Sequence, residues 1–401
     1  MLNDDITFTI IKTQLVKEMF ERELLMIPGP TNVAPSVLRA SSRPMVSHTS
    51  PEFAKIFKEA LDHLRKVFMT ESEVFVVAGS GTLALEMAIA NVVEPGDKVL
   101  NTVSGFFGQY FVELSKVYGA VPSVLEVPYG KAIRPEKVRE ALEMDDYKAV
   151  TVTHVETSTG VANPIKEIGE IVRKYSDAFY IVDTVCSLGG MEVRFDEWGI
   201  DVCASGSQKC IGVPPGLALI AVSQKTLEFI EKRKTSVGSW YGSFKNWLPV
   251  MRDPTKYFAT PPVNMIYALH EALKLIIDEG LEKRFMRHHV LAEAFRDAMD
   301  ALNLEIVAER GYASNTVTAI YYPEGIDDNK FRDEMKKRGI IVASTLGPLR
   351  GKGFRVGHMG NINQNDIAAT ISAIEVSLKN LGCKIDLGSG LAAAEMRILS
   401  A

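Results

Sequence analysis

"VVAGSGTLALEMA", residues 76–88, runs from an apolar stretch through Gly79-Ser80-Gly81 into the helical pattern Leu83, Leu85, Met87, Ala88. A strand that turns through glycines into a helix is the repeating unit of an α/β sheet. Glycines let backbone approach an anion closely, and free N–H groups at a helix start favour negative charge. Gly79, Gly81 and Ala84 also satisfy the spacing of a dinucleotide fingerprint. That reading further needs an acid about 20 positions on, at the end of the next strand, to hold a ribose. The next strand candidate, "DKVLNTVSG", ends in Thr102, Val103, Ser104 and Gly105 with no carboxylate. On this stretch alone three readings stay open: a nicotinamide pyrophosphate, another phosphate, or a tight turn with no ligand.

Outward from this turn, short apolar strands alternate with helical segments. The strand candidates are "EVFVVA", "KVLNTV", "VPSVLEV", "KAVTVTHV", "AFYIVD", "DVCAS" and "GLALIAVS". Helices are expected near 82–93, 107–118, 134–143 and 164–174, after an amphipathic helix over 51–69 with Ser50 as its cap and Pro51 in its first turn. Several strands are apolar on both faces, which suits a sheet covered by helices on each side. The fold class is α/β with a largely parallel sheet. The pattern changes after about residue 222. A loop-rich stretch, 237–264, carries Trp240, Trp247 and several prolines, and is too long for a simple connector. A helical region over 265–302 follows. The tail reads as a smaller α+β unit, with strands near 304–307, 314–321 and 340–344 and helices near 327–338 and 363–380. The expected division is an N-terminal segment 1–25 that wraps onto a partner subunit, a large domain 26–285 and a small domain 286–401.

A chain of 401 residues is too long for one compact core. Its net charge of −5 argues against nucleic acid or anionic membrane as the main partner. The start lacks a basic leader before an apolar core, and no apolar run reaches membrane-spanning length. Cys186, Cys203, Cys210 and Cys383 show no paired metal-ligand spacing, so reduced thiols, no metal and a cytoplasmic location are expected.

Ligands of open α/β sheets sit beyond the carboxyl ends of the strands. There the sequence offers Gly79-Ser80-Gly81-Thr82, "THVETSTG" (153–160), "IVDTVCSLGG" with Asp183 as the last strand residue, and "SGSQKC" with Lys209. Taken singly, Asp183 reads equally as a helix cap and Lys209 as a surface lysine. Together, a phosphate cradle, an acid and a lysine at one sheet edge are the protein parts that pyridoxal phosphate needs. The helix start takes the phosphate, the acid keeps the pyridine nitrogen protonated, and the lysine forms the Schiff base and shuttles the substrate proton.

With these motifs in order, from "MIPGPTNVAP" at residue 26 to "GFRVGHMG" at 353–360, the chain resembles the fold-type I, class V aminotransferases, close to the alanine–glyoxylate and serine–pyruvate group. The resemblance implies pyridoxal 5'-phosphate bonded to Lys209, with Asp183 at the pyridinium. It further implies Val185 on one ring face, Phe107 stacked on the other where relatives often have tryptophan, and Ser158 on the phenolic oxygen. Ser80, Gly81, Thr82 and Gln208 would bind the phosphate. Arg355 would clamp the substrate's α-carboxylate, with Gly29 and Ser158 beside it. Tyr257 and Thr260 of "YFATPP" would reach the phosphate of the neighbouring subunit, which makes the expected enzyme a homodimer. The implied reaction is transamination between alanine or serine and glyoxylate or pyruvate. Its rivals are a lyase, a decarboxylase or a cysteine desulfurase on the same scaffold, and a nicotinamide-dependent dehydrogenase.

Overall fold

Glu73–Ala78 forms the strand read from the sequence and enters the helix Gly81–Val92 through the glycine turn in the computed structural model, which describes residues 23–401. Most of the expected N-terminal segment therefore lies outside the described residues. All seven strand candidates join one sheet. Its order is Glu73–Ala78, Leu217–Val222, Val202–Gly206, Phe179–Asp183, Ala149–Thr153, Lys98–Val103 and Val121–Glu126. Only Leu217–Val222 runs antiparallel to its neighbours; the remaining pairings are parallel. Every residue of the four strands between 149 and 222 is buried, as a sheet with two covered faces requires. Helix Gly81–Val92 packs against Val202–Gly206 and Leu217–Val222.

Helix Pro51–Phe68 shows how local sequence sets such a layer. The Ser50 hydroxyl accepts from the Phe53 N–H, Pro51 occupies a position that needs no donor, and Met69 ends the helix in a left-handed conformation. Phe53, Phe57, Leu61 and Leu64 recur every three or four residues and are fully buried. Each contributes about 1.5–3 kcal/mol of apolar burial.

Downstream, one expected strand is absent and the helices are more divided than the sequence suggested. The helical region 265–302 is two helices, Val263–Glu279 and Leu281–Ala301, interrupted at Gly280, whose φ of +84° has left the helix. The stretch 237–264 contains a helix, Phe244–Arg252, that tolerates Pro249. No strand forms at 304–307, where one bridge joins Ile306 to Ile320. The unassigned tail holds a helix, Ser389–Leu399, packed along Leu281–Ala301.

A second apolar core gathers Phe295, Met299, Phe331, Phe354 and Ile371 around a three-stranded sheet of Val317–Tyr321, Gly353–Gly357 and Ala343–Ser344. Leu24–Leu25 pairs parallel with Ile340–Ile341, and the Met26 side chain sits in this same core. The chain then crosses to the large sheet at residues 28–32. No helix among the described residues is long and apolar enough to cross a membrane.

Candidate active site

Asp183 ends its strand at the carboxyl edge, in register with Thr153 on one side and Ala204 on the other. Its side chain is buried, and its Oδ1 accepts the Val185 N–H at 2.8 Å. Burial pushes this carboxyl up to about 7, and the charge of Glu156 adds to the rise, while the Val185 N–H, Lys209 and Thr153 oppose it. No cation among the described residues is bonded to it. A buried acid so placed is suited to a partner that brings a positive charge.

Lys209 follows strand Val202–Gly206 on a turn held by backbone bonds, with Val213 N–H to Ser207 O at 3.0 Å and Gly212 N–H to Lys209 O at 3.0 Å. Residues 28–32 lie directly on that turn. The Lys209 Nζ donates to the Pro28 carbonyl, the Thr31 hydroxyl donates to Lys209 O at 2.8 Å, and the Thr31 N–H donates to Gln208 O at 3.1 Å. From behind, the buried guanidinium of Arg284 donates to Gly189 O and Cys210 O, each at 2.7 Å. It ties the Asp183 and Lys209 loops together.

The glycine turn faces the same place. A methyl on Gly81 would stand 2.7 Å from the Val185 side chain, and one on Gly206 would stand 3.0 Å from Gly81 N and 2.9 Å from Gln208 Oε1. Ser80 and Thr82 are exposed, and the Ser80 hydroxyl makes no capping bond, so both remain free for a ligand. Three buried polar atoms near this edge lack a partner: Gln208 Oε1, Thr153 Oγ1 and His154 Nδ1. His154 is fully buried, and desolvation lowers its pKa to about 4.

Phe107 stands at the start of helix Gly108–Val117 with its ring half-buried against Phe106 and Tyr110. Ser158 is 0% exposed. Its hydroxyl donates to Glu156 at 2.6 Å and accepts the Phe106 N–H at 3.1 Å. The bond expected from Ser158 to a cofactor oxygen would need a proton that this geometry gives to Glu156. Glu156 itself was assigned no role from the sequence. The Phe107 and Gly108 amides that also meet it come from another loop, a contact no local pattern encodes.

Arg355 lies mid-strand in Gly353–Gly357 and is 7% exposed. Its guanidinium donates to Ser344 O at 2.9 Å and Thr157 O at 3.2 Å, with no carboxylate among its bonded partners. Burial lowers it to about 10, so it stays cationic at neutral pH. Tyr257 and Thr260 are placed elsewhere. Tyr257 is 62% exposed, its hydroxyl is 3.4 Å from Thr260 Oγ1, and its ring lies against His48.

The aminotransferase class-V family pattern matches residues 34–352. The chain belongs to the class V aminotransferases. An uncharacterised aminotransferase of Methanocaldococcus jannaschii is 46% identical over 368 residues, covering 91% of this chain and 94% of that protein. The serine–glyoxylate aminotransferase of Methylorubrum extorquens is 36% identical over 382 residues, covering 93% and 95%. The solved ureidoglycine–glyoxylate aminotransferase of Bacillus subtilis superposes with a TM-score of 0.90 at 34% identity, covering 95% of this chain and 99% of that one.

Class V aminotransferases of this kind are pyridoxal-phosphate-dependent, and the nicotinamide reading of the glycine turn falls away. The residues present fit the group. A helix start with free N–H groups and hydroxyls suits its phosphate, the unpartnered Gln208 side chain lies beside Gly206 near that helix start, and buried Asp183, bonded to no cation among the described residues, suits its pyridinium.

Proposed function

We propose that this chain is a homodimeric transaminase that moves an amino group from a small amino acid, alanine or serine, to a small 2-oxo acid, glyoxylate or pyruvate. The observation that carries the reading is Arg355. A buried guanidinium without a carboxylate partner, on the second unit and bonded to the 153–160 loop, matches the bidentate demand of an α-carboxylate. The larger unit, 26–285, then holds the cofactor and the smaller, 286–401, supplies the substrate clamp.

Pyridoxal phosphate, when bound, supplies the electron-withdrawing ring that makes a substrate Cα–H acidic. Lys209 would hold the cofactor through its Nζ and carry the Cα proton on that same atom once substrate has displaced it. Asp183 would keep a proton at the pyridine nitrogen, Val185 and Phe107 would pack the ring faces, and Ser80, Gly81, Thr82 and Gln208 would take the phosphate. Gly29 would leave room for the substrate carboxylate beside Lys209. Tyr257 and Thr260, exposed on the protomer, would complete the phosphate site of the second subunit.

The desulfurase reading loses support from Cys210. Its thiol is fully buried and burial pushes its pKa up to about 12, the opposite of a mobile nucleophile. The test is single-turnover spectroscopy of the pyridoxal-phosphate-loaded protein against a panel of amino acids and then 2-oxo acids. Alanine or serine should bleach the visible band fastest and glyoxylate or pyruvate should restore it. A band that no amino acid changes, or full turnover by Lys209→Ala protein, overturns the proposal.

A further inference from the structure

Glu156 is fully buried and receives hydrogen bonds from four donors. The Phe107 N–H reaches Oε2 at 3.0 Å, the Gly108 N–H reaches Oε2 at 3.1 Å, and the Ser158 N–H and hydroxyl reach Oε1 at 3.0 and 2.6 Å. All three amides must donate, so the group is built as an acceptor on both oxygens; burial pushes its pKa up, and these donors oppose the rise. Gly105 makes the approach possible: a methyl there would stand 2.5 Å from Glu156 Cγ and 2.6 Å from Ser158 Oγ. One carboxylate thus joins the loop that carries Phe107 to the loop that carries Ser158, at the strand ends beside Asp183.

We propose that Glu156 is a positioning residue, whose carboxylate fixes the Phe107 ring and the Ser158 hydroxyl in the places the cofactor meets. The inference rests on the assignment of Phe107 to a cofactor ring face. Helix Gly108–Val117 begins at the two amides Glu156 holds, so the carboxylate also serves that helix start, where negative charge is favoured. An aromatic ring with two free side-chain torsions stacks well only if its backbone is held. No other side chain among the described residues bonds the Phe107 and Gly108 amides.

The experiment uses Glu156→Gln, in which an amide N–H₂ replaces one acceptor oxygen. Amide hydrogen exchange of the cofactor-free protein should show lost protection confined to 105–108 and 156–158. Titration with pyridoxal phosphate should give affinity weakened by about tenfold or more, with a reduced visible circular dichroism of the bound ring. Phe107→Ala should weaken affinity too, and the double variant should lose less than the sum of the two single losses, because the part of the Glu156 effect that acts through Phe107 is already gone.

Unchanged exchange at Phe107 and Gly108, or Glu156→Gln binding as the wild type does while Phe107→Ala binds weakly, overturns the positioning role alone. Phe107→Ala binding as the wild type does overturns the ring-face assignment and the inference with it. Should Glu156→Gln not fold, Gly105→Ala disturbs the same contact with the carboxylate retained, and the same readouts decide in the same directions.

Discussion

Gly29 and Lys209 occupy one volume. A methyl on Gly29 would stand 2.6 Å from Lys209 Cδ and 2.9 Å from its Nζ, and Gly29 has a φ of +115°, a backbone region that side chains disfavour. Gly29→Ala should therefore displace the lysine rather than unfold the protein. Transaminase turnover should fall by about a hundredfold, the cost of roughly an ångström of misplacement at a reacting group. Steady-state kinetics beside a thermal melt checks this; wild-type turnover would show that Lys209 can lie elsewhere.

Asp183 makes the cofactor-free protein sensitive to pH. Its carboxyl is raised from 3.8 to about 7, chiefly by burial. Between those values the folded state holds a proton that the unfolded chain has released. Stability from this group is therefore complete at low pH and is lost as pH rises through about 7, by on the order of a few kcal/mol. Asp183→Asn removes that loss. Calorimetry of cofactor-free proteins from pH 5 to pH 8 should find the variant more stable at pH 8 yet inactive with cofactor added. Parallel pH slopes in the two proteins would count against a buried, uncompensated carboxylate.

Arg355→Lys keeps the charge and loses the planar fork. The expected result is a drop of about ten- to a hundredfold in kcat/KM for the amino donor, read mainly in KM, as for lost hydrogen bonds to a charged group. Pyridoxal phosphate affinity should stay within about twofold, because the arginine is assigned to substrate alone. A variant that loses cofactor and keeps KM would move Arg355 to another role.

Tyr257 and Thr260 allow a complementation test. On the proposed dimer, the Lys209→Ala and Tyr257→Ala proteins should each be nearly inactive. Co-expressed as a mixed dimer, they rebuild one site that has both native residues, and activity should return. No recovery in a purified mixed dimer would place Tyr257 in its own subunit's site, or in none.

Away from the site, Glu375 is 3% exposed and accepts the N–H groups of Gly388, Gly390 and Leu391 at 2.7, 2.9 and 3.2 Å. It holds the start of helix Ser389–Leu399 against the second core. Glu375→Ala leaves these donors unmet and should cost about 1–3 kcal/mol in urea denaturation. Turnover at 25 °C should be unchanged.

The strands of the large sheet were legible because their apolar runs are bounded by turn residues, and the Asp183 and Lys209 positions followed from where those runs end. The second unit was less so. Gly353–Gly357 carries glycine at both ends, and Gly353 would meet Ile320 O at 2.1 Å if it bore a methyl, so the residue that suits the packing weakens the strand signal. Pro249 hid helix Phe244–Arg252. Glu156 and Arg284 were beyond reach for a different reason: the Phe107 and Gly108 amides that meet one, and the Gly189 and Cys210 carbonyls that meet the other, lie in distant loops, and no spacing in one stretch encodes a contact between two. Ser158 shows the same limit from the other side, since a motif suggested its role but only the geometry reveals that Glu156 already takes its proton.

The two-rung ladder between Leu24–Leu25 and Ile340–Ile341 anchors the first described residues to a strand more than 300 positions on. Four positions after Leu24 the same backbone meets the Lys209 amine through the Pro28 carbonyl. Removing Leu24 and Leu25 would thus cut the tether that seats residues 28–32 over the lysine. A fusion or affinity tag joined there is tolerable only if that ladder is spared.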